Sequence, residues 1–148
     1  MIEVIPNQQT PKIENNLDLN NLSENEKIQI ESFFNYAKSR DDAIGLAANQ
    51  ISFDKVRYMK RLFAIKLKSG WILCINPKIV SVFGYKTIQE EGCLTWPERK
   101  IIAERWSGVK VQYYDLEGNI YNKSYHSLYA QIFQHELNHL DGIEEKVI

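Results

Sequence analysis

Apolar positions fall at helical spacing near both ends of the chain and at alternating or continuous spacing between them. Ile30, Phe33, Phe34 and Ala37 follow a rhythm of threes and fours, and Ser23 stands three residues before Glu26 as in a capping box. This pattern predicts a helix over about 23–38, ended by Arg40, Asp41 and Asp42. A short strand is predicted at Glu3 to Ile5, followed by an Asn-rich polar connection from Thr10 to Asn21. In the centre, residues 62–67 (LFAIKL), 71–75 (WILCI) and 79–83 (IVSVF) read as strands, the last two separated by Asn76-Pro77. Residues 109–114 (VKVQYY) and 120–125 (IYNKSY) flank DLEGN, a connection of hairpin length, and predict an antiparallel pair. Finally, Leu128, Ile132, His135 and His139 lie four, three and four apart, which predicts a helix over about 126–140 with Gly142 at its stop.

The order helix, strands, helix favours an α+β fold over alternating βαβ units. With 148 residues, the chain is expected to form a single domain, 1–148. A composition of 44% hydrophobic and 25% charged residues is that of an ordinary globular protein. A core of this size needs no disulfide or metal to fold, so a metal site, if present, is expected to serve function.

Charge removes one class of partner. Lys and Arg total 18 against 19 for Asp and Glu, a net charge of −1, so no global positive field supports direct nucleic-acid binding. The opening MIEVIPNQQT has neither a basic start nor an apolar run, and no stretch of 18 apolar residues follows. The expectation is a chain that is neither secreted nor membrane-bound. Cys74 and Cys93 then read as free thiols or a metal thiolate rather than a disulfide.

Chemistry concentrates in the last helix, where His135-Glu136-Leu137-Asn138-His139 forms an H-E-x-x-H motif holding two of the three histidines. Positions four apart return to nearly one azimuth, so both imidazoles can meet one ion while Glu136 reaches a water beside it. That geometry suits metal-assisted hydrolysis. A site of this kind takes a third protein donor. Glu145 is one candidate, since HELNHLDGIEE nearly matches an extended zinc-peptidase pattern; against it, the only methionines are Met1 and Met59, and no Met-containing turn follows. Cys93, in Glu91-Gly92-Cys93-Leu94-Thr95, is the other candidate, being a soft ligand beside a glycine that allows close approach. Cys74, within WILCI, reads as a small buried hydrophobe. Gln50 closes Ala43-Ile44-Gly45-Leu46-Ala47-Ala48-Asn49-Gln50 and offers an amide donor to a developing oxyanion. Trp71, Trp96 and Trp106 read as core aromatics, with Trp96 near enough to Cys93 to line an entrance.

Taken together, AIGLAANQ, EGCLT and QHELNHLDG resemble the three motifs of the peptide deformylase family, in the family's order and at similar spacing. The resemblance spans about Ile44 to Gly142, and it implies antiparallel strands packed around a central metal-binding helix near the C-terminus. Ala43 stands where the family has Gly, and Thr95 where Ser is common. The chain stops six residues after Gly142, which resembles a shortened member lacking the carboxy-terminal helix.

The resemblance implies that Cys93, His135 and His139 bind one divalent ion, Fe(II) natively with Zn(II) an alternative, and that Glu136 is the acid-base catalyst. It also implies that Gln50 and the backbone N–H of Leu94 stabilise the oxyanion, and that Ile44, Gly45 and Glu91 lie at the substrate. An ion pair between Glu91 and Arg105 is the competing role for Glu91. The implied substrates are N-formylmethionyl peptides or nascent chains, releasing formate in bacterial cytoplasm, in an organelle or in a virus-infected bacterium. The ribosome would suit such a substrate, although Lys60-Arg61 and Lys66 to Lys68 are too sparse to define a surface for it. Two other classes remain open at this point: a peptidase using Glu145, and a metal- or peptide-binding module without catalysis.

Overall fold

Residues 1–148 are described by a computed structural model in which two helices frame antiparallel strands. In chain order these are β1 (Ile2–Val4), α1 (Glu24–Ser39), β2 (Gly45–Ala47), a 3₁₀ turn (Ala48–Gln50), β3 (Ile51–Phe53), β4 (Val56–Arg57) and β5 (Leu62–Leu67). They continue with β6 (Gly70–Glu91), β7 (Ile101–Tyr114), β8 (Ile120–His126), α2 (Ser127–Leu140) and β9 (Lys146–Val147). One sheet has the order β1-β3-β4; the other runs β2-β5-β6-β7-β8, with β9 added to β7. Every pairing is antiparallel, so the fold is α+β as expected.

Helix α1 begins where its capping box predicts. Ser23 Oγ accepts the Glu26 N–H at 3.1 Å, and the Glu26 carboxylate accepts the Ser23 N–H at 3.1 Å, which satisfies two donors the helix itself leaves open. Its buried residues Ile30, Phe33 and Ala37 pack with Leu46, Ile51 and Leu62, fixing the segment that leads into β2.

The strands predicted at 71–75 and 79–83 are parts of one long strand, β6, a correction with a local cause. Register shifts between Ile75 and Lys78, Ile79 and Ser81, and Phe83 and Lys86 break the alternation that a sequence pattern relies on. At the first shift Asn76 adopts a φ of 50°, and its side chain accepts the Leu17 N–H at 2.8 Å and donates to the Leu17 carbonyl at 2.9 Å. Asn tolerates this left-handed conformation, and Pro77 has no N–H to lose from the ladder. The pair therefore marks a bulge rather than a strand end. Beyond it, β6 carries the chain directly to Glu91 and Cys93.

Helix α2 is buried on two sides. Ala130, Phe133, Leu137 and Leu140 pack on the larger sheet with Phe63, Ile65, Val109 and Val111, and the Phe133 ring meets Phe63 edge-on at 4.9 Å. Leu128 and His135 front a cleft, and Ile132 both lines that cleft and packs in the core. Such a helix carries polar side chains into the interior, where each requires a partner. Gly142 ends it at a φ of 63°, and a Cβ there would lie 2.7 Å from the Lys12 backbone nitrogen, so the amino-terminal segment crosses directly over the turn.

Candidate active site and metal centre

His135 and His139 sit on successive turns of α2 with their Nε2 atoms 3.2 Å apart. Cys93, just past the end of β6, places Sγ 3.3 Å from His139 Nε2. Bonds of roughly 2.0–2.3 Å at tetrahedral angles separate ligand atoms by about 3.3–3.7 Å, so these three donors stand close to the spacing a single small ion requires. The adjoining Glu136 is 4% exposed, and its Oε1 is buried with no hydrogen-bond partner. An orphaned carboxylate oxygen beside two imidazoles and a thiol fits a site built to hold a divalent ion and a water.

The outer nitrogens fix which ring atom faces the cluster. His135 Nδ1 lies 2.7 Å from Glu91 Oε1, and an ionised carboxylate can only accept, so Nδ1 carries a proton and Nε2 is the ring nitrogen that faces the cluster. Glu91 is in turn held by Arg105 at 2.7 and 3.0 Å and by Gln131 at 2.8 Å. Burial alone would push Glu91 up, but the donors His135 and Arg105 outweigh it and lower its pKa to about 2. Around His139, Thr10 Oγ1 donates to the ring's own backbone carbonyl at 2.9 Å and lies 3.3 Å from Nδ1. Asn49 Nδ2 donates to the same carbonyl at 2.6 Å.

The two histidines are pushed apart. Burial opposes charge on His135, but Glu136, Cys93 and Glu91 overcome it and raise its pKa, whereas burial and the nearby His135 lower that of His139. Glu136 moves upward to about 7, chiefly because burial disfavours its anion. A carboxyl group poised there can both take and give a proton near neutral pH.

Gln50 is oriented at both ends: Oε1 accepts the Ala47 N–H at 2.8 Å, while Nε2 donates to Thr95 Oγ1 at 3.1 Å and approaches Cys93 Sγ at 3.5 Å. Thr95 thus uses the hydroxyl it shares with Ser. The Leu94 N–H donates to no acceptor within the protein. Gly45 runs against Glu136, where a Cβ would fall 3.0 Å from Cδ and nearer still to Oε2. Ala43 does not take a positive φ, so its methyl meets no backbone strain.

A cleft of about 1180 Å³ opens over these groups, lined among others by Ile44, Gln50, Cys93, Leu94, His135 and Glu136. Ile44 is half exposed at its edge. Glu91 forms part of the wall, but its carboxylate turns inward to Arg105 and His135 rather than toward the opening. All nine residues singled out in sequence therefore meet at one place. Thr10, Asn49 and Gln131 were not singled out. Asn49 lies inside the AIGLAANQ motif, whereas Thr10 and Gln131 act through contacts 129 and 40 residues away and carry no local signal. No helix is long and apolar enough to cross a membrane.

Two histidines and a cysteine sulfur around one point, with a buried carboxyl group on the same helix as the histidines and an open cleft before them, define a metal-dependent hydrolase. The profile of the polypeptide deformylase family matches residues 3–144, and the chain belongs to that family of metallohydrolases. It is 32% identical over 123 residues to the peptide deformylase of Thermotoga sp., covering 83% of this chain and 69% of that protein. It is 40% identical over 103 residues to that of Rhodopseudomonas palustris, covering 68% of this chain and 58% of that protein. The crystal structure of a class I type b peptide deformylase from Acinetobacter baumannii superposes with a TM-score of 0.79 at 28% identity, over 95% of this chain and 93% of that one. That from Thermotoga maritima gives 0.77 at 28% identity, over 97% and 93%. The A. baumannii enzyme has also been solved with Met-Ala-Ser bound.

Proposed function

We propose that the protein hydrolyses the N-formyl group of formyl-methionyl peptides, with Cys93, His135 and His139 holding the ion and Glu136 moving the proton. The carrying observation is the buried, unpartnered carboxylate oxygen of Glu136 beside the three converging donors at the floor of the cleft. An ion held by these donors supplies positive charge that polarises the formyl oxygen and makes an adjacent water acidic near neutral pH. Glu136 accepts the proton of the attacking water and returns it to the departing amine, so that formate and a free amino terminus leave. Gln50 Nε2 and the Leu94 N–H donate to the oxygen on which negative charge develops. Gly45 leaves room for Glu136, and the apolar cleft residues Ile44, Leu94, Leu128 and Ile132 offer a surface for a methionine side chain.

Fe(II) is the ion proposed for the native site, and Zn(II) suits the same donors. The substrate class places the work in the bacterial cytoplasm or an organelle, on free peptides or on chains leaving the ribosome. The test is formate release from formyl-Met-Ala-Ser by protein loaded anaerobically with Fe(II). Formate appearing with the internal peptide bonds uncut is expected; cleavage of those bonds without formate would overturn the reading in favour of a peptidase.

A further inference from the structure

Glu145 is a buried carboxylate for which the proposed reaction has no use. Both of its oxygens are buried without a hydrogen-bond partner, as is the indole N–H of Trp96. Its Oε1 lies 3.3 Å from His139 Nδ1, and one carboxylate oxygen falls within 4.8 Å of Cys93 Sγ and of a ring nitrogen on each histidine. An ionised group in such a place is costly unless it serves a donor or a cation.

Two roles are open to it, direct contact with the ion or contact with the outer nitrogen of His139. The faces of the His139 ring distinguish them: Nε2 is turned toward Cys93 and His135, whereas Glu145 Oε1 approaches the opposite nitrogen, Nδ1, so Glu145 stands on the outer side of the ring. Gln9 clamps it there, accepting the Glu145 N–H at 3.0 Å and donating to the Glu145 carbonyl at 3.0 Å. Thr10 commits its hydroxyl proton to the His139 carbonyl, leaving oxygen acceptors from Thr10 and Glu145 beside Nδ1.

We propose that Glu145 is a positioning residue, held in place by Gln9, that shares the Nδ1 proton of His139 with Thr10 and keeps His139 Nε2 unprotonated and turned toward Cys93 and His135. Each imidazole then has its own carboxylate behind it, Glu91 for His135 and Glu145 for His139. Outer carboxylates of this kind raise ligand basicity and fix the tautomer, and removing one weakens metal retention by roughly 10- to 100-fold. The inference rests on the deformylase reading only in taking Cys93, His135 and His139 as the metal donors.

The test follows transfer of Co(II) from loaded protein to excess chelator, with the cobalt absorption spectrum recorded alongside. Glu145→Leu is expected to release the ion roughly 10- to 100-fold faster at unchanged coordination number, with partial rescue in Glu145→Gln, whose amide oxygen still accepts. Gln9→Ala, which removes the two hydrogen bonds that clamp Glu145, should shift release in the same direction by less. Wild-type release from Glu145→Leu would overturn the proposal, as would a spectrum showing that the variant has lost a ligand, which would make Glu145 a direct donor. If Glu145→Leu fails to fold by circular dichroism, Gln9→Ala, which frees the Glu145 backbone, decides: faster release supports the assignment and unchanged release overturns it. Cobalt release needs no turnover. Protein that behaves as expected here yet releases no formate overturns the deformylase reading and leaves this one standing.

Discussion

Replacing Gly45 by Ala adds one methyl group at the point where β2 passes Glu136. The new Cβ would sit 3.0 Å from Glu136 Cδ and 3.1 Å from Cγ, and nearer still to Oε2. Carbon atoms in contact prefer about 3.5–4.0 Å, so the carboxylate must retreat by roughly 0.5–1 Å. Gly45 does not take a positive φ, so Ala fits the backbone, and what yields is the far end of a flexible side chain. Unfolding free energy should therefore change by less than about 1 kcal/mol, because the strain is small and the Gly-to-Ala change restricts the unfolded chain. Activity should respond quite differently. A displacement near 1 Å of the proton-transferring group costs about 100-fold, equal to about 2.7 kcal/mol of transition-state stabilisation. The assay is kcat/KM for formate release, with metal content and thermal unfolding measured on the same preparation. Loss of activity at full metal content and near-wild-type stability is expected. Activity within about threefold of wild type would show that Glu136 is not held where attack requires it, since the predicted displacement corresponds to about 100-fold.

Three further outcomes follow from packing and charge. Arg105→Met leaves the Glu91 carboxylate buried with fewer donors and should destabilise by about 3–5 kcal/mol in chemical denaturation; a neutral effect would mean that Arg105 is dispensable to the inner wall of the site. Phe133→Ala removes a fully buried ring from the joint between α2 and the sheet and should cost about 3–5 kcal/mol, measured in the same way. Tyr58 and Tyr113 are both raised above their ordinary value, mainly by burial. A raised folded pKa favours the protonated form, so their contribution is complete below an unfolded pKa of about 10 and declines as pH rises beyond it. A stability profile that stayed flat from pH 9 to 12 would contradict this assignment, because about 10 is where the unfolded phenols titrate.

The parts of the fold that sequence pattern revealed are those whose signals are local. The capping box of Ser23 and Glu26 and the spacing of Ile30, Phe33 and Ala37 place α1 to within a residue, and the DLEGN hairpin lies where its turn chemistry puts it, with Asp115 accepting the N–H groups of Glu117 and Asn119. Strand β6 was only partly legible because its bulges reset the alternation, and the residues from Gly84 to Glu91 and from Ile101 to Gly108 gain their strand character from pairing with each other. In the site, H-E-x-x-H declares itself because both ligands lie on one helix. The supports for those ligands come from distant segments, Thr10 and Glu145 for His139 and Arg105 and Gln131 for Glu91, and no spacing rule connects them. Glu145 was visible in sequence only as an alternative third ligand, whereas the fold gathers it and Cys93 around one cluster.

The central claim is that Glu136 moves the proton while Cys93, His135 and His139 hold the ion. It is tested most directly by comparing wild type with Glu136→Gln, both loaded anaerobically with Fe(II), in formate release from a formyl-Met peptide and in metal content. Loss of a general acid-base group of this kind removes about 10²- to 10⁴-fold in rate, and the account predicts a fall of that size with the ion still bound at one per chain. Wild-type turnover in the variant, or loss of the ion together with the activity, would contradict it.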